Sequence, residues 1–440
     1  MRITPSRPPI NLYIDGFRGR DRFDRSAESK ALSELVEKVD EPLVISVDGK
    51  WGSGKSYFLQ CWAGAHTVEN DGEAITIYYD AFKDDFLENP LAGLMAHLSK
   101  RVGATEQSEG KLARVKSAAS KLWRPTVRVA LAMASSGLSE LASPILDAGI
   151  DAAQKEISDQ VDAFWMHEVG KRGAIEEFRQ ALIGLTAPDD NGNPTQKFVF
   201  IVDELDRCRP DFALSVLEVI KHFFDVDGVH FVLGVHLAAL KNTVRARYGN
   251  SLDAEKYLGK FISVGITLKD VTRKSDSTGA EIWRYFSTEA SQMGLPAKQV
   301  EHVLWWAKAF EPFSFDSIRH AQRILTEIAL LPSEEKMWGW GLTLSALVLI
   351  KHSNSELYRR FSERRIALKE ILDFCGIPEE LKGQERHEVV VADYIWRSIL
   401  APKTVNPESG FTGAWGHFGL SKPNEVVPKL IREIELVKLT

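Results

Sequence analysis

The chain has 440 residues, of which 44% are hydrophobic and 26% are charged, and its formal net charge is −6. This length exceeds one ordinary domain, and the composition is that of a globular protein, which excludes a disordered or fibrous chain. The negative balance gives no general attraction to nucleic acid or to an acidic membrane, and three widely spaced cysteines favour neither a disulfide framework nor a zinc site.

Strands and helices are predicted to alternate along much of the chain. Helices are expected at about 26–39, 56–65 and 212–224, and short apolar strands at 43–47, 74–79, 197–202, 229–235 and 261–268. Such alternation is typical of a parallel sheet with right-handed crossovers, which is an α/β fold. From about 271 onward the periodicity is helical only.

Four segments follow from this pattern. Residues 1–85 and 196–270 are predicted to form the two parts of one α/β core, 86–195 a long helical insertion, and 271–440 a C-terminal helical lid domain. The most apolar part of the insertion, 126–150, is interrupted by charged residues and a proline, which are costly within a bilayer. The N terminus shows no apolar signal segment, so we expect a cytoplasmic protein and do not favour membrane association.

A glycine-rich motif follows the first strand and precedes a helix. It fits G-x-x-x-x-G-K-[ST] and reads Gly49-Lys50-Trp51-Gly52-Ser53-Gly54-Lys55-Ser56. Such a loop points backbone N–H groups at phosphate oxygens at the positive end of a helix. Lys55 is expected to contact the β- and γ-phosphates, Ser56 to ligate Mg²⁺, and the adjoining Tyr57 to belong to the same nucleotide-binding set.

A second motif ends the third strand with two carboxylates, Asp203 and Glu204. Ligands of open α/β folds bind at this carboxyl edge of the sheet. Asp203 is expected to hold Mg²⁺ through water, and Glu204 to act as the general base that polarises the attacking water. A helix-capping or surface role is the alternative for Glu204. Because no Asn-Lys-x-Asp stretch follows the fourth strand, ATP is favoured over GTP.

These motifs together resemble the KAP family of P-loop NTPases. The likeness covers about residues 12–330 and rests on the tryptophan inside the glycine-rich loop, on Val-Asp-Glu-Leu-Asp-Arg-Cys at 202–208, and on the stretches 80–82, 231–235 and 255–261. The resemblance implies an ATPase core with sheet order 5-1-4-3-2. It also implies a nucleotide-driven switch that assembles signalling or defence complexes, and a bacterial origin.

Three arginines are weaker candidates for the site. Arg207 either stabilises the γ-phosphate or forms a salt bridge with Asp206 or Asp211. Arg319 and Arg323 lie four residues apart on one helix face, where related ATPases place a second sensor, and an ordinary solvated face is their alternative.

The leading hypothesis is a switch that binds and hydrolyses ATP with Mg²⁺ and acts with proteins of a defence or signalling complex. A homo-oligomer is compatible with this hypothesis. One alternative is a non-hydrolysing scaffold stabilised by nucleotide, and another is a P-loop kinase acting on a small molecule or a nucleic-acid end. A nucleic-acid-stimulated motor is not favoured, because the basic stretch 100–128 is more simply explained as a solvated helix face.

Overall fold

A computed structural model of the chain describes residues 9–87, 89–102, 110–120, 122, 173–271, 278–331, 338–401 and 426–435. The apolar stretch 126–150, and much of the basic stretch 100–128, lie outside these residues. The chain divides into two compact units. One holds Ile10–Gly49 and Gly54–Lys269, and the other holds Lys50–Ser53 and the described residues from Asp270 onward.

The first unit contains a five-stranded sheet in which every paired strand is parallel. The strand order is β2-β3-β4-β1-β5, which is the expected order 5-1-4-3-2 counted from the opposite edge. The α/β fold and the sheet order are therefore confirmed. The strands are β1 Leu43–Asp48, β2 Ile75–Asp80, β3 Phe198–Asp203, β4 Val229–Val235 and β5 Val264–Thr267.

Helices cover both faces of this sheet. They are α1 Ser26–Lys38, α2 Lys55–Val68, α3 Pro90–Val102, α4 over residues 110–120, α5 over 173–186, α6 Pro210–Phe223, α7 Leu237–Tyr248 and α8 Ala254–Leu258. Three of them, α3, α4 and α5, occupy the described part of the long segment that joins β2 to β3. The predicted fifth strand is shorter than expected, because Phe261 and Ile262 continue the turn after α8 with amides that donate to the Leu258 carbonyl.

The side chains of each strand alternate between two apolar layers, as the pleat requires. On β3, Val199 and Ile201 pack in the layer formed with α1 and α2, whereas Phe198, Phe200 and Val202 pack in the opposite layer. Burial of each such side chain contributes about 1.5–3 kcal/mol relative to exposure. Asp203 continues the first series, so the alternation directs its carboxylate to the face that α2 covers.

The second unit is helical in all of its described elements. These are α9 Thr278–Met293, α10 Ala297–Ala309, α11 Ile318–Leu330, α12 Trp338–Ser353, α13 Ser355–Ser362, α14 Leu368–Cys375, α15 His387–Leu400 and α16 Val426–Glu435. Its core is built around α12, in which residues 346–350 are fully buried. The buried indole of Trp306 donates to the carbonyl of Leu342 on that helix at 2.8 Å.

A buried carboxylate also ties α11 to α12. Glu327 is 1% exposed and accepts hydrogen bonds at 2.7 Å from Lys351 and from His352. Through the part of the chain that the structure describes, no helix combines the length and the apolar character needed to cross a bilayer.

Candidate active site

The glycine-rich loop joins the end of β1 to the start of α2. Gly54 caps α2 with a φ of 87°, and Gly52 has a φ of 81°. Both angles lie in the left-handed region that side chains rarely adopt, which explains glycine at these two positions. The Gly49 amide donates to the Val235 carbonyl at 3.3 Å, so the start of the loop is joined to the end of β4.

Lys55 is the first residue of α2 and is only 8% exposed. Its ammonium group donates to the Gly49 carbonyl. Burial lowers the pKa of Lys55, and this effect is opposed by nearby carboxylates, those of Asp206, Asp203, Glu204 and Asp48. One ammonium group therefore lies among four acids, and a bound triphosphate would add further negative charge. A divalent cation would offset this excess of negative charge.

The acidic pair lies beside this lysine at the end of β3. Asp203 is 1% exposed and pairs in register with Gly234 of β4, where a Cβ atom would lie 2.7 Å from its Oδ1. Glycine at that position thus leaves room for the carboxylate over the neighbouring strand. Burial raises the pKa of Asp203 to about 6, although the hydrogen bond that Tyr78 donates to this carboxylate acts in the opposite direction.

Glu204 contacts the loop helix directly. Ser56 Oγ donates to Glu204 Oε1 at 2.8 Å, and the Arg207 guanidinium pairs with Glu204 Oε2. Arg207 therefore pairs with Glu204 and not with Asp206 or Asp211, the two salt-bridge partners considered from the sequence. The three-residue helical turn after Glu204 places the arginine next to that carboxylate. Glu204 itself has a φ of 61°, a left-handed conformation that costs a non-glycine residue about 1–2 kcal/mol. Such backbone outliers concentrate at functional positions.

Two further side chains orient the carboxylate of Asp203, the candidate metal ligand. Tyr78 Oη donates to Asp203 Oδ2 at 2.6 Å, and Gln60 Nε2 donates to Tyr78 Oη at 3.1 Å. Sequence reasoning did not identify either residue. A usable signal was the period of two in β2 and β3, which places Tyr78 on the same face of the sheet as Asp203 once the strands are known to be neighbours.

Arg25 is a third residue that sequence reasoning missed. It precedes α1 and is 3% exposed, and its guanidinium donates to the Gly54 carbonyl at 3.4 Å and to the Lys269 carbonyl at 3.3 Å. The guanidinium therefore joins the start of α2 to the segment that follows β5. No sequence motif marked this arginine, because its role depends on two carbonyl groups that are distant in sequence.

The tip of the loop, Lys50–Ser53, groups with the helical unit. The Ile318 amide at the start of α11 donates to the Gly52 carbonyl at 3.1 Å, and a Cβ atom at Gly52 would lie 2.8 Å from that of Arg319. Within this unit, Arg319 therefore lies against the loop tip. Arg323 lies one turn further along α11 and is exposed. Trp51 and Tyr57, also predicted to contact nucleotide, are 50% and 39% exposed.

The comparison with known families gives a match over most of the chain. Residues 25–328 match the KAP family P-loop domain. The chain belongs to the KAP family. The expectation drawn from the two motifs is thus confirmed at the level of the family, and a nucleotide-binding P-loop NTPase domain is established. A comparison with curated proteins found no match.

The solved structures that match the chain have low sequence identity to it. The ORC2 protein of Aeropyrum pernix in ADPNP–ADP complexes is 12% identical to the KAP chain, with a TM-score of 0.34 and 97% of each chain covered. A DNA replication initiation factor is 11% identical, with a TM-score of 0.33 and coverage of 94% and 88%. The Drosophila ORC bound to DNA is 12% identical, with a TM-score of 0.34 and coverage of 94% and 96%. Similarity at this level carries no argument about function.

The donor atoms at the site fit magnesium. The Ser56 hydroxyl and the Asp203 carboxylate are hard oxygen ligands, and Mg²⁺ in proteins is bound by one or two such groups together with water and substrate phosphates. The Ser56 hydroxyl donates to the Glu204 carboxylate, and the Glu204 amide donates to Asp203 Oδ1, so the two groups contact the same residue. The chemistry of this pair therefore suits a magnesium ion that accompanies a triphosphate.

Proposed function

We propose that this KAP-family protein binds ATP with Mg²⁺ and hydrolyses it. Lys55 and the loop amides would bind the phosphates, and Glu204 would orient and deprotonate the attacking water. Ser56 and Asp203 would hold Mg²⁺, which when bound neutralises charge on the β- and γ-phosphate oxygens. This assignment follows the family's P-loop and the chemistry of the carboxylates that surround it.

One contact supports hydrolysis more than any other. Glu204 Oε1 lies 2.8 Å from the Ser56 hydroxyl, so the general-base candidate is adjacent to a magnesium-ligand candidate. The Glu204 side chain is only 18% exposed. A carboxylate in this position can act on a water molecule near the γ-phosphate, and a surface or helix-capping role does not require the contact. The contact therefore favours a hydrolase over a P-loop kinase.

The first experiment compares Glu204→Gln with Glu218→Gln, which removes an exposed carboxylate on α6. Phosphate release by Glu204→Gln should fall by about 10²–10⁴-fold, the usual contribution of a general base, while binding of a fluorescent ATP analogue is retained. Glu218→Gln should behave as the wild type. Hydrolysis that survives Glu204→Gln would remove the general-base assignment.

The second experiment tests phosphate binding through Lys55→Ala, with Lys256→Ala as its control. Lys256 is 87% exposed, so its loss removes a charge without disturbing a buried site. Lys55→Ala should abolish detectable binding of the fluorescent ATP analogue at micromolar concentration, and Lys256→Ala should not change it. Equal affinity in the two variants would overturn the nucleotide site itself.

A non-hydrolysing scaffold is the second candidate, and one observation favours it. Both carboxylate oxygens of Glu204 already have protein partners, because Oε1 accepts from Ser56 and Oε2 forms an ion pair with Arg207. Each of these partners competes with a catalytic water molecule for the lone pairs of the carboxylate. Wild-type protein that binds ATP without releasing phosphate would support the scaffold. Transfer of a labelled γ-phosphate to an acceptor would instead support a kinase.

We also propose that the ATP-bound and ADP-bound states differ in their protein partners. γ-Phosphate contacts exist in only one of those states, and they can therefore bias an element with two arrangements. Arg319 and Arg323 are the candidate sensors, and partners of the defence or signalling kind are suggested by the family alone. Light scattering of Glu204→Gln with ATP and with ADP tests for assembly of this chain. The same mass and the same copurifying proteins in both states would contradict the switch.

A further inference from the structure

Tyr78 lies between the loop helix and the acidic strand. It is 6% exposed on β2, and its hydroxyl donates to Asp203 Oδ2 at 2.6 Å. The same hydroxyl accepts from Gln60 Nε2 at 3.1 Å, and Gln60 lies on α2, four residues after Ser56. The helix that carries the metal-ligand serine and the strand that carries the metal-ligand aspartate are therefore connected through one tyrosine.

The backbone of Tyr78 is held as firmly as its hydroxyl. β2 is an edge strand, and the two backbone groups of Tyr78 that face away from β3 are hydrogen-bonded by side chains. The Tyr78 amide donates to Tyr13 Oη at 3.0 Å, and the Tyr78 carbonyl is 2.9 Å from His97 Nδ1. A fixed backbone fixes the position from which the hydroxyl reaches Asp203.

The other oxygen of Asp203 is also engaged. Asp203 Oδ1 accepts from the Glu204 amide at 2.9 Å, and the Asp203 carbonyl accepts from the Ala81 amide at 3.0 Å. With one donor on each oxygen, rotation of the carboxylate about its χ2 angle would break two hydrogen bonds at once. Each oxygen still has a lone pair for a cation or for the water that surrounds it.

We propose that Tyr78, oriented by Gln60, is a positioning residue that holds the Asp203 carboxylate in the orientation needed to bind Mg²⁺ with ATP. The proposal rests on the proposed function of the site. Outer-shell partners of metal ligands typically contribute 10–100-fold to metal affinity, because a ligand that is already oriented loses less freedom on binding. A tyrosine that served packing alone would not alter the magnesium dependence of nucleotide binding.

The test is a magnesium titration of Tyr78→Phe, with Tyr79→Phe as the matched control. Tyr79 is also buried on β2, but it packs in the opposite apolar layer. Binding of a fluorescent ATP analogue is measured first in EDTA and then with rising Mg²⁺, and phosphate release is measured in parallel. The probe is the same nucleotide throughout.

In EDTA, Tyr78→Phe should bind the analogue with the wild-type affinity. Its half-saturating Mg²⁺ concentration should rise about 10–100-fold, and its turnover should approach the wild-type value when Mg²⁺ saturates. Tyr79→Phe should follow the wild type in all three measurements. Gln60→Ala, which leaves the tyrosine in place and removes the group that orients it, should raise the half-saturating Mg²⁺ concentration by about threefold.

An unchanged magnesium requirement in both Tyr78→Phe and Gln60→Ala would overturn the proposal, as would an equal rise in Tyr79→Phe. Loss of binding in EDTA by Tyr78→Phe would also count against it, because that result indicates a general disturbance of the fold. Failure of the proposed function gives a different result: the wild type itself would then bind no nucleotide, or would bind it without any response to Mg²⁺.

Discussion

A single methyl group at Gly234 should disturb the site from the neighbouring strand. Gly234 lies on β4 beside Asp203, and an added Cβ would lie 2.7 Å from Asp203 Oδ1 and closer still to Leu59 Cδ1. Real Cβ atoms are not found this near to other heavy atoms, so the aspartate and the leucine must both move. Gly234→Ala therefore overpacks a fully buried layer of the sheet.

Gly234→Ala should lower the free energy of unfolding by about 1–3 kcal/mol, the typical cost of overpacking a dense core. The matched control is Gly265→Ala on β5, where the new Cβ would lie 3.4 Å from Ser46 Oγ in an ordinary contact. Because alanine reduces the entropy of the unfolded chain, this second substitution should be neutral or should stabilise by about 0.4–1 kcal/mol. The same substitution is thus expected to lower the stability on β4 and to preserve or raise it on β5.

Thermal unfolding monitored by circular dichroism distinguishes the two variants. A change of about 1 kcal/mol moves the midpoint by about 2–4 °C for a domain of 150–250 residues, so Gly234→Ala should unfold several degrees below Gly265→Ala. Displacement of Asp203 should also raise the Mg²⁺ concentration that ATP binding requires. The reasoning fails if Gly234→Ala is as stable as the wild type, or if Gly265→Ala is destabilised to the same extent.

Three further predictions concern buried charge. Burial lowers the pKa of His230 to about 4, so as the pH falls from about 6.5 to 4 the imidazole is protonated in the unfolded chain before it is protonated in the folded one, and the free energy of unfolding decreases. H230L should reduce this decrease by on the order of 3 kcal/mol, which denaturant titrations at pH 7 and pH 4 measure. E327Q should destabilise the helical unit by about 3–5 kcal/mol in urea at pH 7, because it leaves Lys351 without its carboxylate, whereas an unchanged midpoint would contradict a buried pair. R25M should weaken ATP binding about fivefold, since it removes two long hydrogen bonds worth roughly 1 kcal/mol, and unaltered affinity would show that the Gly54 carbonyl needs no such support.

The phosphate loop could be recognised without any tertiary information. The residues expected to bind phosphate and metal lie within eight consecutive positions, Gly49 to Ser56, and local chemistry gives the reason for each expectation: glycines for left-handed backbone, a lysine for charge and a serine as a candidate metal ligand. The apolar runs around it have the length of buried strands, so the sequence also indicated the α/β class. The order of those strands came from family resemblance, since periodicity alone does not determine which strands are neighbours.

Element ends were less accurately predicted than the elements themselves. The last strand begins at Val264 and not at Phe261, because the amides after α8 continue the turn of that short helix. The apolar character of Phe261 and Ile262 suits either a strand or a packed turn, and only hydrogen bonding to Leu258 decides between them.

The sequence by itself determined that the chain has a parallel sheet, a phosphate loop and an acidic strand end, because each of these features is encoded by residues close together in the chain. Tertiary structure alone decided which side chains complete the site. Tyr78 and Asp203 are 125 residues apart and meet only through the register of β2 with β3. Several acids lie near Arg207 in the sequence, and the helical turn after Glu204 determines that Arg207 pairs with Glu204. Such pairings depend on distances between elements, and no local pattern of residue types specifies those distances.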